Sequence, residues 1–105
     1  MQMDPQITFE GIEALDTARA LILKEIHRLE SHNKHITGCR VSVIAPSDKH
    51  HHGAGFEIHI RVTIPPHREI VVNHAPPGDR RHEHAESAIK DAFAAAMRQI
   101  DDMAA

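Results

Sequence analysis

Residues 56–64, Phe56-Glu57-Ile58-His59-Ile60-Arg61-Val62-Thr63-Ile64, alternate apolar and polar side chains without a break. Successive side chains of a β-strand point to opposite faces, so this stretch is a strand with one face for a core and one for water or a partner. Phe56, Ile58, Ile60, Val62 and Ile64 make the core face, and Glu57, His59, Arg61 and Thr63 make the other. Any helix that packs on this chain must cover the phenylalanine and isoleucine side.

The neighbours of this strand are strands too. Before it, Cys39 to Ala45 alternates Cys39, Val41 and Val43 against Arg40, Ser42 and Ile44, and Pro46 closes the run. The connection Ser47-Asp48-Lys49-His50-His51-His52-Gly53-Ala54-Gly55 is polar and tipped with three histidines, which reads as a hairpin loop. After it, Pro65-Pro66-His67 turns the chain into Glu69-Ile70-Val71-Val72-Asn73, with Ile70 and Val72 inward. Further back, Gln6-Ile7-Thr8-Phe9-Glu10 is a short first strand, ended by Gly11.

Two segments change period. Apolar residues at 15, 18, 22, 26 and 29 are spaced by three and four, which predicts an amphipathic helix from about Leu15 to His32. Asp16 suits the positive end of its dipole, and Arg28 and His32 suit the other end. Positions 85, 89, 93, 96, 100 and 103 repeat the same spacing and predict a second helix from about His82 to Asp102. Its outer face mixes Lys90 and Arg98 with Asp91 and Asp101.

The order is β-α-β-β-β-α. A right-handed crossover lays the first strand parallel to its neighbour, the other three strands form a meander, and both helices return to one face. The predicted fold is therefore an α+β two-layer sandwich: a four-stranded mixed sheet with two helices on one face and the other face bare. A chain of 105 residues holds a single domain, with its core between about residues 6 and 102. Phe9, Phe56 and Phe93 all fall at core-facing positions.

Composition narrows the function classes. A lone cysteine, Cys39, sits in an apolar alternation, so it forms no disulfide within the chain and is expected to be a buried thiol. No basic segment leads into an apolar run, and no apolar stretch approaches the length of a membrane span. The expectation is a soluble cytoplasmic protein. Net charge is −3 with neutral histidines, which argues against a simple nucleic-acid coat protein, but protonating the eleven histidines would reverse that sign.

Catalytic patterns are weak. No glycine-rich phosphate loop, G-x-S-x-G elbow or H-E-x-x-H motif is present, and His82-Glu83-His84 has the residue types of a zinc helix at the wrong spacing. An enzyme is not expected, nor is a cofactor. His50, His51 and His52 are the best metal ligands in the chain, since neutral imidazoles bind zinc, nickel or copper. A polar loop offers them no fixed geometry or supporting shell, so no metal site is expected there. A metal-handling protein and an adaptor that captures a strand at a sheet edge stay open as alternatives.

The first helix carries a basic stripe. Opposite its apolar residues, the helical angle gathers Lys24, His27, Arg28 and Ser31. Glu25 and Glu30 interrupt the stripe, and an ordinary solvated helix face has the same look. If nucleic acid is the partner, its mode is narrowed by the absence of Trp and Tyr, because single-strand binders need exposed aromatic platforms. What remains is contact with phosphates and 2′-hydroxyls of structured RNA by Lys, Arg and His.

Several segments together resemble the ribosome hibernation promoting factor and ribosome-associated inhibitor family, also called sigma-factor modulation proteins. They are Ile7-Thr8-Phe9-Glu10-Gly11-Ile12-Glu13, Arg19, Arg28-Leu29-Glu30 with His35-Ile36-Thr37, Ile64-Pro65 with Glu69-Ile70-Val71-Val72, and Ala88-Ile89-Lys90-Asp91-Ala92 through Arg98-Gln99-Ile100. The resemblance spans nearly the whole chain and rests on order and spacing more than on one sharp motif. It implies a non-enzymatic factor that binds ribosomal RNA of the small ribosomal subunit in the channel used by messenger and transfer RNA, and no DNA, membrane or obligate protein partner. Members block translation in starved or stationary cells.

By position, the resemblance carries an RNA-binding role to Arg19, Arg28 and Arg98, with Lys49 on the hairpin loop beside them. Lys24, His27, Arg80, Arg81 and Lys90 join them from the outward stripe and the adjoining loop. Glu25 stands where many relatives have Lys, and Ala95 replaces a basic residue, so this copy is less basic than most. Long forms continue past the second helix into a dimerisation domain, and the chain resembles a short form or an isolated N-terminal domain.

Overall fold

A computed structural model describes residues 4–45, 56–66, 68–74 and 85–104. The elements run β1 (Gln6–Glu10), α1 (Asp16–His32), β2 (Gly38–Ile44), β3 (Glu57–Ile64), β4 (Arg68–His74) and α2 (Ala85–Ala104). They form a four-stranded sheet in the order β1-β2-β3-β4. β1 lies parallel to β2, while β2–β3 and β3–β4 are antiparallel. This is the mixed sheet that the alternations predict.

Local chemistry explains where elements stop. Gly11 has a φ of 78°, a left-handed conformation that side chains resist, and it releases the chain from β1. Leu15 caps α1 through its backbone alone: its carbonyl accepts from the Arg19 N–H at 2.9 Å, and its side chain supplies no cap. The helix thus begins at Asp16, one residue later than its apolar period suggests. At the other end Asn33 donates its N–H to the Leu29 carbonyl at 2.9 Å, and its side-chain oxygen accepts from the His35 N–H at 2.8 Å, turning the chain toward β2.

The strands differ from their sequence bounds by a residue or so. β2 begins at Gly38, and Ala45 follows it with its N–H bonded to the Glu10 carbonyl at 2.9 Å. β4 gains Arg68 and His74. α2 runs to Ala104, past the expected end at Asp102.

Ile58, Ile60, Val62 and Ile64 on β3, Val41 and Val43 on β2, and Ile70 and Val72 on β4 are all buried on one side of the sheet. Ile22, Ile26 and Leu29 of α1 and Ile89, Phe93 and Ile100 of α2 close over them, so both helices share that face. Burial of one such side chain stabilises by about 1.5–3 kcal/mol. Ala88, Ala92 and Ala96 form a ridge of small residues at helical spacing, fully buried, which lets α2 settle close to β3 and β4. No polar or charged residue is buried among the described residues.

All three phenylalanines face the core, as predicted, but to different depths. Phe93 is buried, but Phe9 and Phe56 are only partly covered, although both pack against the core. Phe9 lies on an edge strand and Phe56 immediately before β3, so each lacks neighbours on one side.

Candidate nucleic-acid interface

α1 and α2 lie side by side over the sheet, and a groove of about 550 Å³ runs between their outer flanks. Lys24 and Arg28 project from α1, one turn apart, and Lys90 and Arg98 project from α2, two turns apart; all four line this groove. Leu21, Phe93, Ala94 and Met97 line it as well and supply its apolar surface. Cations on long stems can rest their methylenes on such a surface while keeping the charge in water.

Among the described residues that line the groove, one carries an opposing charge. Glu25 is largely sunk, with only 11% of its side chain exposed, and both its carboxylate oxygens accept from Nη1 of Arg28, at 3.3 and 3.2 Å. Arg28 itself is 65% exposed, so its guanidinium stays available on the outer side. Toward the C-terminal end of α1 the groove opens into a second hollow of about 480 Å³, where His27, Ser31 and His32 join Lys24, Arg28 and Met97. There His32 contacts Asp101, a link between the two helices.

Six of the nine residues singled out from sequence are described, and five converge: Lys24, Arg28, Lys90 and Arg98 in the groove, and His27 in the adjoining hollow. Arg19 stands apart, its guanidinium 5.9 Å from the centroid of the Phe9 ring, a cation–π distance at the β1 edge. Lys49, Arg80 and Arg81 lie outside the described residues, as do the loop histidines His50, His51 and His52. Among the described residues no group of three or more His, Cys, Asp or Glu could hold a metal ion.

Cys39 is a buried free thiol, as its position in the alternation predicts. Burial, and after it the negative charge of Glu30, push its pKa up to about 12, so the thiol stays protonated and unreactive. No helix among the described residues is long and apolar enough to cross a membrane.

Sequence reasoning missed two features. The apolar lining of the groove depends on how the helices are rotated against each other, which periodicity leaves open. The second is a pair of arginines on the bare sheet face, Arg40 and Arg61, which stand directly opposite each other on β2 and β3. Alternation assigns both to the polar face, but only strand register brings them together.

A small β-α-β-β-β-α sandwich with cations of both helices gathered on one outer groove defines the class: an α+β domain with two helices on one face of a four-stranded mixed sheet. The profile of the family described as "Sigma 54 modulation protein / S30EA ribosomal protein" matches residues 6–104, and the chain belongs to that family. Among solved structures, the chain is similar to a ribosomal subunit interface protein from Coxiella burnetii, with 14% identity, TM-score 0.74, and 96% of this chain and 97% of that one covered. It is also similar to the N-terminal domain of Protein Y from Thermus thermophilus, with 16% identity, TM-score 0.67, and 98% and 99% covered. At such identities these likenesses establish the fold. No curated protein sequence matches the chain.

Proposed function

We propose that this protein is a ribosome-associated translation inhibitor, a hibernation factor that docks on the small ribosomal subunit through ribosomal RNA phosphates in the channel used by messenger and transfer RNA. The observation that carries the reading is the convergence of Lys24, Arg28, Lys90 and Arg98, from two helices, on one groove in a chain of this family. Family membership supports association with the ribosome. The cation-lined groove supports RNA as the component touched, since phosphate contacts by Lys and Arg position a protein on structured RNA.

His27 extends the surface toward the end of α1, Arg19 meets RNA from the β1 edge, and Lys49, Arg80 and Arg81, outside the described residues, add further cations. The action is occupancy: the domain fills the channel, works without a cofactor and breaks no bond. Translation is thereby held off in cytoplasm under stress. Whether the partner is a protein of the subunit or its RNA is decided by salt, because each phosphate contact contributes roughly 0.7–0.9 to the slope of log affinity against log salt.

The test is co-sedimentation with purified small ribosomal subunits across a salt series, comparing wild type with a Lys24→Ala, Arg28→Ala, Arg98→Ala triple variant. Saturable binding that weakens with salt in wild type, and a slope shallower by about 2 to 3 in the folded variant, is the expected outcome. Absence of binding at low salt by a correctly folded protein would remove the reading.

A further inference from the structure

We propose that the bare face of the sheet is a second phosphate-binding surface, centred on Arg40 and Arg61, that takes RNA backbone on the side of the molecule opposite the helical groove. In the register of β2 and β3 the two arginines are direct cross-strand partners on the solvent face. Like charges directly opposite on neighbouring strands repel; Glu69 offsets part of this at Arg61, and an anion between the two arginines offsets more.

The surroundings complete a donor set. Arg40 and Arg61 share a shallow hollow of about 230 Å³ with Ser42, His59, Val71 and Asn73, and among the described residues no carboxylate lines it. Ser42, His59 and Asn73 form the next row across the three strands, and Thr8 on β1 extends it, donating to the Ser42 hydroxyl at 2.9 Å. Hydroxyl, amide, imidazole and guanidinium groups thus face outward together.

Carboxylates flank the hollow without entering it. Glu69 meets Nε of Arg61 at 3.0 Å, and Glu57 meets Nε2 of His59 at 3.3 Å. Asp4 lies in a smaller depression on the far side of the arginine pair, beside Gln6 and Thr63. The ion pair leaves Arg61 56% exposed, and an exposed pair of this kind is worth only about 0–1 kcal/mol, so a phosphate can compete for the guanidinium.

Size and composition select the occupant. The hollow, about 230 Å³, is smaller than the roughly 300 Å³ at which drug-sized pockets begin and is ample for a phosphate. The face carries no phenylalanine, since Phe56 and Phe93 belong to the core side and Phe9 faces α1. An extended run of phosphates and 2′-hydroxyls is the chemistry that such a row of short donors reads. The choice of RNA among phosphate carriers rests on the ribosome-binding reading above, and the arginine pair stands without it.

The experiment titrates the isotopically labelled full chain with a short oligouridylate and follows backbone amide shifts by NMR. It uses wild type, a sheet variant (Arg40→Gln, Arg61→Gln) and a groove variant (Lys24→Ala, Arg98→Ala), each checked by circular dichroism and thermal melting. Amides of Arg40, Ser42 and Arg61 should shift in wild type and in the groove variant, and stay still in the sheet variant. Small-subunit binding by the sheet variant should show a salt slope shallower by about 1.4 to 1.8, the loss of two phosphate contacts. If the double substitution unfolds, Arg40→Gln alone serves, with a slope change of about 0.7 to 0.9.

Unmoved sheet amides in wild type and groove variant would overturn the proposal, even if ribosome binding persists. A polyglutamate peptide that shifts the same amides at equal concentration would also overturn it, assigning the face to an acidic protein. Sheet shifts with RNA in a protein that fails to co-sediment with small subunits would sink the hibernation reading and leave the sheet surface standing.

Discussion

Replacing Glu25 by Gln tests whether the inter-helix groove holds RNA, because it removes the groove's internal anion and nearly preserves shape. The Glu25 carboxylate sits 3.2 Å from Nη1 of Arg28. A phosphate accepting from the other hydrogen of Nη1 adds about 2.8 Å to its nearest oxygen, so the two anions would lie roughly 5–6 Å apart. Coulomb repulsion at that distance is about 0.7 kcal/mol at the dielectric of water and about 3 kcal/mol at an effective dielectric of 20. Arg28 is 65% exposed, which places the true value near the lower end. An expected gain of about 1 kcal/mol is roughly a fivefold tighter complex.

Loss of the Arg28–Glu25 pair itself costs between about 0 and 1 kcal/mol of stability, so the variant should remain folded. The assay is the dissociation constant for small ribosomal subunits by fluorescence anisotropy at several salt concentrations. Glu25→Gln should bind about fivefold tighter at low salt, and should lose that advantage in an Arg28→Ala background, where the competing partner is gone. Equal affinity of wild type and Glu25→Gln would mean that no phosphate approaches Arg28. An equal gain with and without Arg28 would refute the through-guanidinium geometry.

Other expectations concern the scaffold. Ile60→Ala, at a 1% exposed position in the centre of β3, should lower unfolding free energy by about 2–5 kcal/mol in urea denaturation. Gly11→Ala should destabilise by about 1–2 kcal/mol, since its φ of 78° is unfavourable for any side chain, and a lower melting temperature with an unchanged far-UV spectrum checks this. Cys39 should resist a disulfide reagent at pH 8 in the native protein and react once the protein is unfolded. Its pKa rises from 9.0 to about 12 on folding, so the unfolded chain binds fewer protons between those values, and stability should fall as pH climbs through that window while staying level below it. A Cys39→Ala variant should lack that alkaline component.

Elements were legible because their periods are local. The nine-residue alternation of β3 and the three-and-four spacing of α1 and α2 need only neighbouring residues to be recognised, and the element order then leaves few ways to assemble a sheet. Features that depend on two elements at once were not legible in the same way. Lys24 and Arg28 are placed outward by the helical angle, but their meeting with Lys90 and Arg98 depends on how far α2 is rotated about its axis. The Arg40–Arg61 pair depends on strand register, where a shift of one residue would send one of them to the core side. Partial exposure of Phe9 and Phe56 reflects their places at an edge strand and a strand entrance, which alternation does not encode. Glu25 looked like one charge among many on a helix surface, and its 11% exposure, in a groove shared with Lys90 and Phe93 of α2, is not encoded in one helix alone.

A core with no buried polar or charged side chain among the described residues has consequences for how fast such a sequence can drift. Buried hydrogen-bond networks pin particular residues in place, since losing one partner strands the other. Interlocking isoleucines, valines and alanines impose no such pairing, and volume-preserving exchanges among aliphatic residues usually cost less than about 1.5 kcal/mol. The rhythm of strands and helices can therefore be kept through extensive replacement, and a fold shared at 14% identity with a TM-score of 0.74 fits such tolerance. For a domain of this build, the fold is carried by periodicity rather than by residue identity.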